Sequence, residues 1–206
     1  INSEIFFSFC LQNFSFKVFL VPEISRFFFC LIFIFYSVKS LNFFFFSSDV
    51  SKILEEKKFA KFGEIFRQNP NIVNSLRDGR HDWTLLMEAV IGDRFAVFVH
   101  LMKYPQDFSL VDNEGHNVLH WVGWIGKVRH LEMFDQQTIK MLIDGRSERN
   151  STPLHHAVSW NNHDVISWLL AKGADHELKN KDGQRPDEHP RCDGVTKEIF
   201  RSFRSS

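Results

Sequence analysis

The sequence predicts an all-α solenoid of stacked helix-turn-helix units, and two observations carry that reading. The first is the stretch Ser151 to Asp175, STPLHHAVSWNNHDVISWLLAKGAD. Thr152 suits a helix N-cap, where its side-chain oxygen accepts from an orphan backbone N–H. Pro153 then falls at the first helical position, where a missing N–H costs nothing. Leu154, Ala157 and Val158 give one apolar face, Asn161-Asn162 interrupts the pattern, and Val165, Ile166, Leu169 and Leu170 give a second stripe at helical spacing. Gly173 follows the last periodic residue, as a helix C-cap wants. Two short antiparallel helices cannot bury their shared face alone, so a unit of this kind must stack. The second observation is recurrence. Thr84 leads Thr84-Leu85-Leu86-Met87-Glu88-Ala89, Asn117 leads Asn117-Val118-Leu119-His120 33 residues later, Thr152 follows after 35, and Arg185 after a further 33.

In chain order, residues 1–48 do not share this pattern. Of the 24 phenylalanines, 15 precede Asp49, in runs such as Phe27-Phe28-Phe29 and Phe43 to Phe46, which makes this a low-complexity, Phe-rich N-terminal extension. Its strongest apolar run, Phe27 to Val38, has 12 residues between Arg26 and Lys39, against the roughly 20 that a membrane-spanning helix needs. Its position and the lack of a small-residue cleavage site do not suit a secretory signal. Two readings stand for it: translation of T-rich non-coding DNA, which continuous coding RNA across Ser48–Asp49 would rule out, or a membrane-associated segment within residues 1–46. The chain opens on Ile1 rather than Met, which suits a piece of a longer protein.

Residues 49–203 read as the repeat domain. From 49 to 78 an N-terminal cap or degenerate repeat is expected. Asp49 to Gln68 is helical in pattern, with Ile53, Leu54, Phe59, Phe62, Ile65 and Phe66 as apolar stripes, and Asn69-Pro70 ends it. The repeat at 79–111 has Val97, Phe98, Leu101 and Met102 as its second stripe. In the repeat at 112–146, Lys127 to Phe134 is extra and is expected to loop out between two helices. The second of these starts near Asp135 and carries Ile139, Leu142 and Ile143, and the finger that follows should be stunted. The repeat at 147–179 is the opening stretch. The last, 180–203, is truncated, and Val195 to Phe203 should form a closing helix with Ile199 and Phe203 turned to the stack.

Thr152-Pro153-Leu154-His155-His156-Ala157 resembles the T-P-L-H-x-A core of ankyrin repeats, whose period is about 33 residues, and Leu119-His120 repeats its Leu-His. Asp93 stands where that family prefers Gly between helices, and Pro105 where Gly usually ends the second helix. The resemblance implies that His120 and His155 brace neighbouring repeats through backbone hydrogen bonds. It also implies that partners are bound by finger tips and the inner-helix, concave surface. Carried over by position, the contact residues are Arg80, His81, Trp83 and Ile91; Asn113, Glu114, His116, Trp124 and Ile125; Glu148, Arg149, Ser151, Ser159 and Trp160; and Lys181, Asp182 and Gln184. Trp83, Trp124 and Trp160 are expected to form an apolar strip with Arg80, His116 and Arg149 at its rim, whereas Trp121 and Trp168 match core positions.

The remaining composition narrows the function. Lys plus Arg and Asp plus Glu are 25 each, so no net basic field draws nucleic acid. Lys179, Lys181 and Arg185 make only a local basic spot without interleaved aromatics. Cys10, Cys30 and Cys192 are odd in number and lack CxxC spacing, which speaks against a disulfide framework or zinc site and fits a reducing, intracellular compartment. The ten histidines include His189 near Cys192, but Pro190 separates the two and no orienting partner or phosphate loop appears. The expectation is therefore a monomeric, non-catalytic interaction module or scaffold for a protein or peptide, without metal or cofactor. The alternatives are a membrane-tethered version, or a regulatory part of a larger enzyme or channel.

Overall fold

The computed structural model describes residues 66–205. Residues 66–68 are helical and stop at Asn69-Pro70. The rest of the expected 49–68 helix, the Phe-rich runs, Cys10 and Cys30 lie outside the described residues. The elements that follow are α1 (Ile72–Ser75), α2 (Leu85–Ile91), α3 (Phe95–Leu101), α4 (Val118–Ile125), α5 (Val128–Leu131), α6 (Gln136–Leu142), α7 (Pro153–Ser159), α8 (His163–Ala171), a 3-10 turn (Pro186–Glu188) and α9 (Gly194–Arg204). Among the described residues there is no strand; Arg77 and Thr84 form an isolated antiparallel bridge.

The first helix of each full repeat starts by the same chemistry. The Thr84 side chain accepts from Met87 N, Asn117 from Leu119 N and His120 N, and Thr152 from His155 N. These caps satisfy the otherwise orphaned first-turn donors. The first helices then stack: α4 lies against both α2 and α7, and α7 against the 3-10 turn, which replaces the first helix of the truncated last repeat. The core is continuous. Leu85, Met87, Phe98, Leu119, Leu154, Ile166, Leu169 and Phe200 are all sealed from solvent.

A finger precedes each cap residue, and the fingers are laced to one another. Asp112 N donates to His116 O, Ser147 N to Ser151 O and Asn180 N to Gln184 O. Between fingers, Asn113 N donates to His81 O (3.0 Å), Glu148 N to Glu114 O (2.8 Å) and Lys181 N to Arg149 O (2.9 Å). The finger after the insertion is therefore not stunted: it closes over the same interval as its neighbours, and the shortening is absorbed between the end of α6 and Ser147.

Two further expectations are corrected. The insertion at 127–134 is not an outward loop. It forms α5, which packs on α4 and α8, and buries His130, Leu131 and Phe134. The His130 ring stands edge-on to Phe95 and Phe98, at 5.2 and 4.9 Å. Apolar residues in an insertion gain by filling the groove between neighbouring second helices rather than facing water. In α9 the face turned to the stack carries Thr196 and Phe200, while Phe203 is 37% exposed and Ile199 is only partly covered. The Thr196 hydroxyl donates to Asn161 Oδ1 (3.2 Å), and that bond sets the rotation of the helix.

Candidate functional site: an aromatic row across the repeats

The site begins with the His braces, because they hold the first helices at fixed spacing. Asn117 N donates to His120 Nδ1 (3.1 Å) and Thr152 N to His155 Nδ1 (3.2 Å). With Nδ1 accepting, Nε2 carries the proton. It donates across to the next finger, from His120 to Ser151 O (2.9 Å) and from His155 to Gln184 O (3.1 Å). Burial pushes both rings' pKa down, so they are held neutral.

On this frame four indoles line up. Trp83 meets Trp121 at 5.2 Å between centroids, Trp121 meets Trp124 at 5.2 Å, and Trp124 meets Trp160 at 5.7 Å, each edge to face. That is the geometry the ring quadrupole prefers. His81 stacks on Trp83 at 4.0 Å at one end, and the Arg191 guanidinium lies 5.7 Å from the Trp160 ring at the other. Trp160 is 52% exposed, whereas Trp83, Trp121 and Trp124 are half-buried.

Trp121 is the link that sequence reasoning placed in the core. It packs on the core and also joins Trp83 to Trp124. Its indole N–H donates to Asp112 Oδ2 (3.1 Å), the oxygen that also takes the His116 ring at 3.2 Å. Asp112 Oδ1 accepts from Glu114 N and His116 N. Burial works against the Asp112 carboxylate, yet these His116 and Glu114 bonds leave its pKa below the ordinary range. Asp112 thus ties the row to the finger of its own repeat.

His116, expected at the rim, lies beneath the row instead, 7% exposed, because Asp112 draws it inward. It packs tilted against His120 at 5.3 Å and edge-on against His156 at 4.7 Å. Burial, reinforced by His116 and His155, pushes His156 down to about 3. Arg80, Asn113, Glu114, Glu148, Arg149, Lys181 and Asp182 are exposed on the fingers, while Ile91, Ile125, Ser151, Ser159 and Gln184 are half-buried. Trp168 is packed against the core, with Lys172 Nζ 5.3 Å from its ring. Within the local basic spot, Arg185 is ringed by Glu177, Asp187 and Glu188 at 3.3, 3.4 and 3.0 Å, which leaves Lys179 and Lys181 as its exposed cations.

Two supports of the row left no mark in the sequence. Asn162 Nδ2 donates to Gly123 O (2.6 Å) and Trp124 O (2.9 Å), capping the end of α4 from the next repeat. Gly123 lets α4 and α7 close together, since a Cβ there would lie 2.7 Å from Pro153 O. Asn161, at φ 51°, donates to Arg191 O (2.9 Å) and accepts from Asp193 N (3.2 Å), tying the last segment on.

Burial raises the Cys192 thiol pKa, and a thiol so raised is a poor nucleophile. Among the described residues no group of three His, Cys, Asp or Glu side chains is placed to hold a metal. No described helix is long and apolar enough to cross a membrane.

Comparison with known proteins agrees with this architecture. The family described as ankyrin repeats in three copies matches residues 86–180. A putative ankyrin repeat protein of Acanthamoeba polyphaga mimivirus is 25% identical over 133 residues, covering 62% of this chain and 17% of its own length. The chain therefore spans about a sixth of that relative. Ankyrin repeats are protein–protein interaction modules, and the family match over residues 86–180, with its stacked first helices, His braces and laced fingers, identifies that stretch as ankyrin repeats.

Proposed function

We propose that this chain binds a protein partner along the row from Trp83 to Trp160, and does so without catalysis, inside the cell. The carrying observation is the unbroken run of indole contacts across three repeats, ending on a half-exposed Trp160. Tryptophan and arginine are among the residues most enriched in interface hot spots, and a contiguous apolar strip on a soluble face is costly unless covered. An aromatic centre with polar fingertips matches the anatomy of protein interfaces. A reducing compartment suits Cys192, a free buried thiol.

The test is affinity capture with the full chain and its Trp160→Ala variant, followed by mass spectrometry. A true partner is retained by the parent and lost from the variant, with unchanged circular dichroism. Partners retained equally by both would move the binding face away from the row.

A further inference from the structure

We infer that α5 is an acid-released strap, held across the second-helix side of the repeats by the sealed His130 ring and let go when that ring takes up a proton. The segment touches all three full repeats. His130 stands edge-on to Phe95 and Phe98 of the first, at 5.2 and 4.9 Å, and α5 packs on α4 of the second and α8 of the third. Phe134 closes the far end of the strap, edge-on to Phe98 at 5.8 Å and to Phe108 at 5.5 Å.

The ring's surroundings suit a neutral imidazole and not a charged one. His130 is fully buried, and neither ring nitrogen makes a hydrogen bond among the described residues. A neutral ring hides one N–H there, which phenyl rings can accept only weakly. An imidazolium would hide two N–H groups and a charge, at a much greater cost. Lys127 O favours the charged ring, but it already takes the His130 amide at 3.1 Å and forms no bond to the ring. Lys127 and Arg129 repel a proton on the ring. Asp93 attracts it, but pairs with Arg129, whose guanidinium lies 4.8 Å from the Phe95 ring. The ionisable side chains of the helices around the strap are engaged elsewhere or exposed. On α3, His100 meets the Tyr104 hydroxyl (3.2 Å); on α4, His120 is a brace; on α8, His163 pairs with Asp193 (3.0 Å) and Asp164 is exposed. Glu132, just after α5, is exposed as well. Burial outweighs the rest and pushes the His130 pKa down.

Release can be local. The braces His120 and His155 have both ring nitrogens bonded within the stack, whereas no hydrogen bond holds the His130 ring. The first helices stack without α5, and Asn162 holds the end of α4 through Gly123 O and Trp124 O. Below 6.5 the released ring binds a proton that the seated ring refuses. Closure is therefore full above that pH and weakens as pH falls, and opening bares the Phe95 and Phe98 rings on the side away from the aromatic row.

The test is amide hydrogen exchange of the full chain between pH 7 and 5, corrected for the intrinsic rate and read beside the His130 ring signals by NMR. Opening at the Glu132 and Phe134 amides, which bond to Val128 O and Leu131 O, should rise about tenfold or more. The ring should titrate together with that opening, at a midpoint below 6.5. In His130→Phe and His130→Leu, which cannot take the proton, the rise should vanish while α7 keeps its acid sensitivity. A ring that titrates while these amides stay protected would show the imidazolium held in place and overturn the inference. So would no rise in the parent, or an equal rise in either folded variant.

Discussion

Three residues after its cap, the first repeat carries Met87, whereas the second and third carry His120 and His155. The Met87 side chain is sealed in the core and contributes packing alone. The two histidines are equally buried, but each closes its own cap and crosses to the next finger. All three junctions share packing and a finger-to-finger amide bond; the first adds Trp83 against Trp121, and the later two add a buried imidazole whose Nδ1 can accept the cap N–H only while the ring is neutral. Stacking is common to all three junctions, and a proton-sensitive brace belongs to two.

Acid should give the largest effect. Burial lowers the folded-state pKa of His120 and His155 below 6.5, and that of His156 to about 3. Below 6.5 the unfolded chain takes up protons that the folded chain refuses. Stability is therefore full above that pH and falls as pH drops through it. From pH 7 to 5 each such histidine removes up to about 2 kcal/mol, read as a drop in the urea midpoint. Hydrogen exchange at pH 5 should show α7 opening before α2. His120→Met, which copies the first junction, should shrink the drop by about one histidine's share. An unchanged drop would mean the braces are not its source.

Packing comes next. Leu154 is fully buried in the first turn of α7, and Leu154→Ala should cost about 2–5 kcal/mol. Pro153→Ala should cost less, because that residue only pre-organises the first turn. Equal shifts from the two would contradict this geometry of the helix start. Gly123→Ala should cost about 1–3 kcal/mol by overpacking α4 against α7, most visibly as a weaker junction between the second and third repeats.

The cap residues and their spacing were legible because capping and the T-P-L-H pattern are local. Trp83, Trp124 and Trp160 were legible by position, since the family fixes which residues face outward. Trp121 was not, because a half-buried ring serves the core and the row at once. Asn161-Asn162 reads as an interruption, since partners such as Gly123 O and Arg191 O lie in other repeats. Gly123 leaves no signal, because close approach of α4 and α7 is a property of the pair. The insertion's buried face and the rotation of α9 are likewise settled by long-range contacts, at Phe98 and at Asn161.

The buried faces of the first helices hold the stack, while the aromatic row is the face we propose for a partner. The most direct measurement of that division compares the urea midpoints of Trp160→Ala and Leu154→Ala in the same chain. Trp160→Ala should stay within about 0.5 kcal/mol of the parent, as an exposed substitution does, while Leu154→Ala falls by several times that. Equal losses would show that Trp160 is part of what holds the repeats together and would contradict the division.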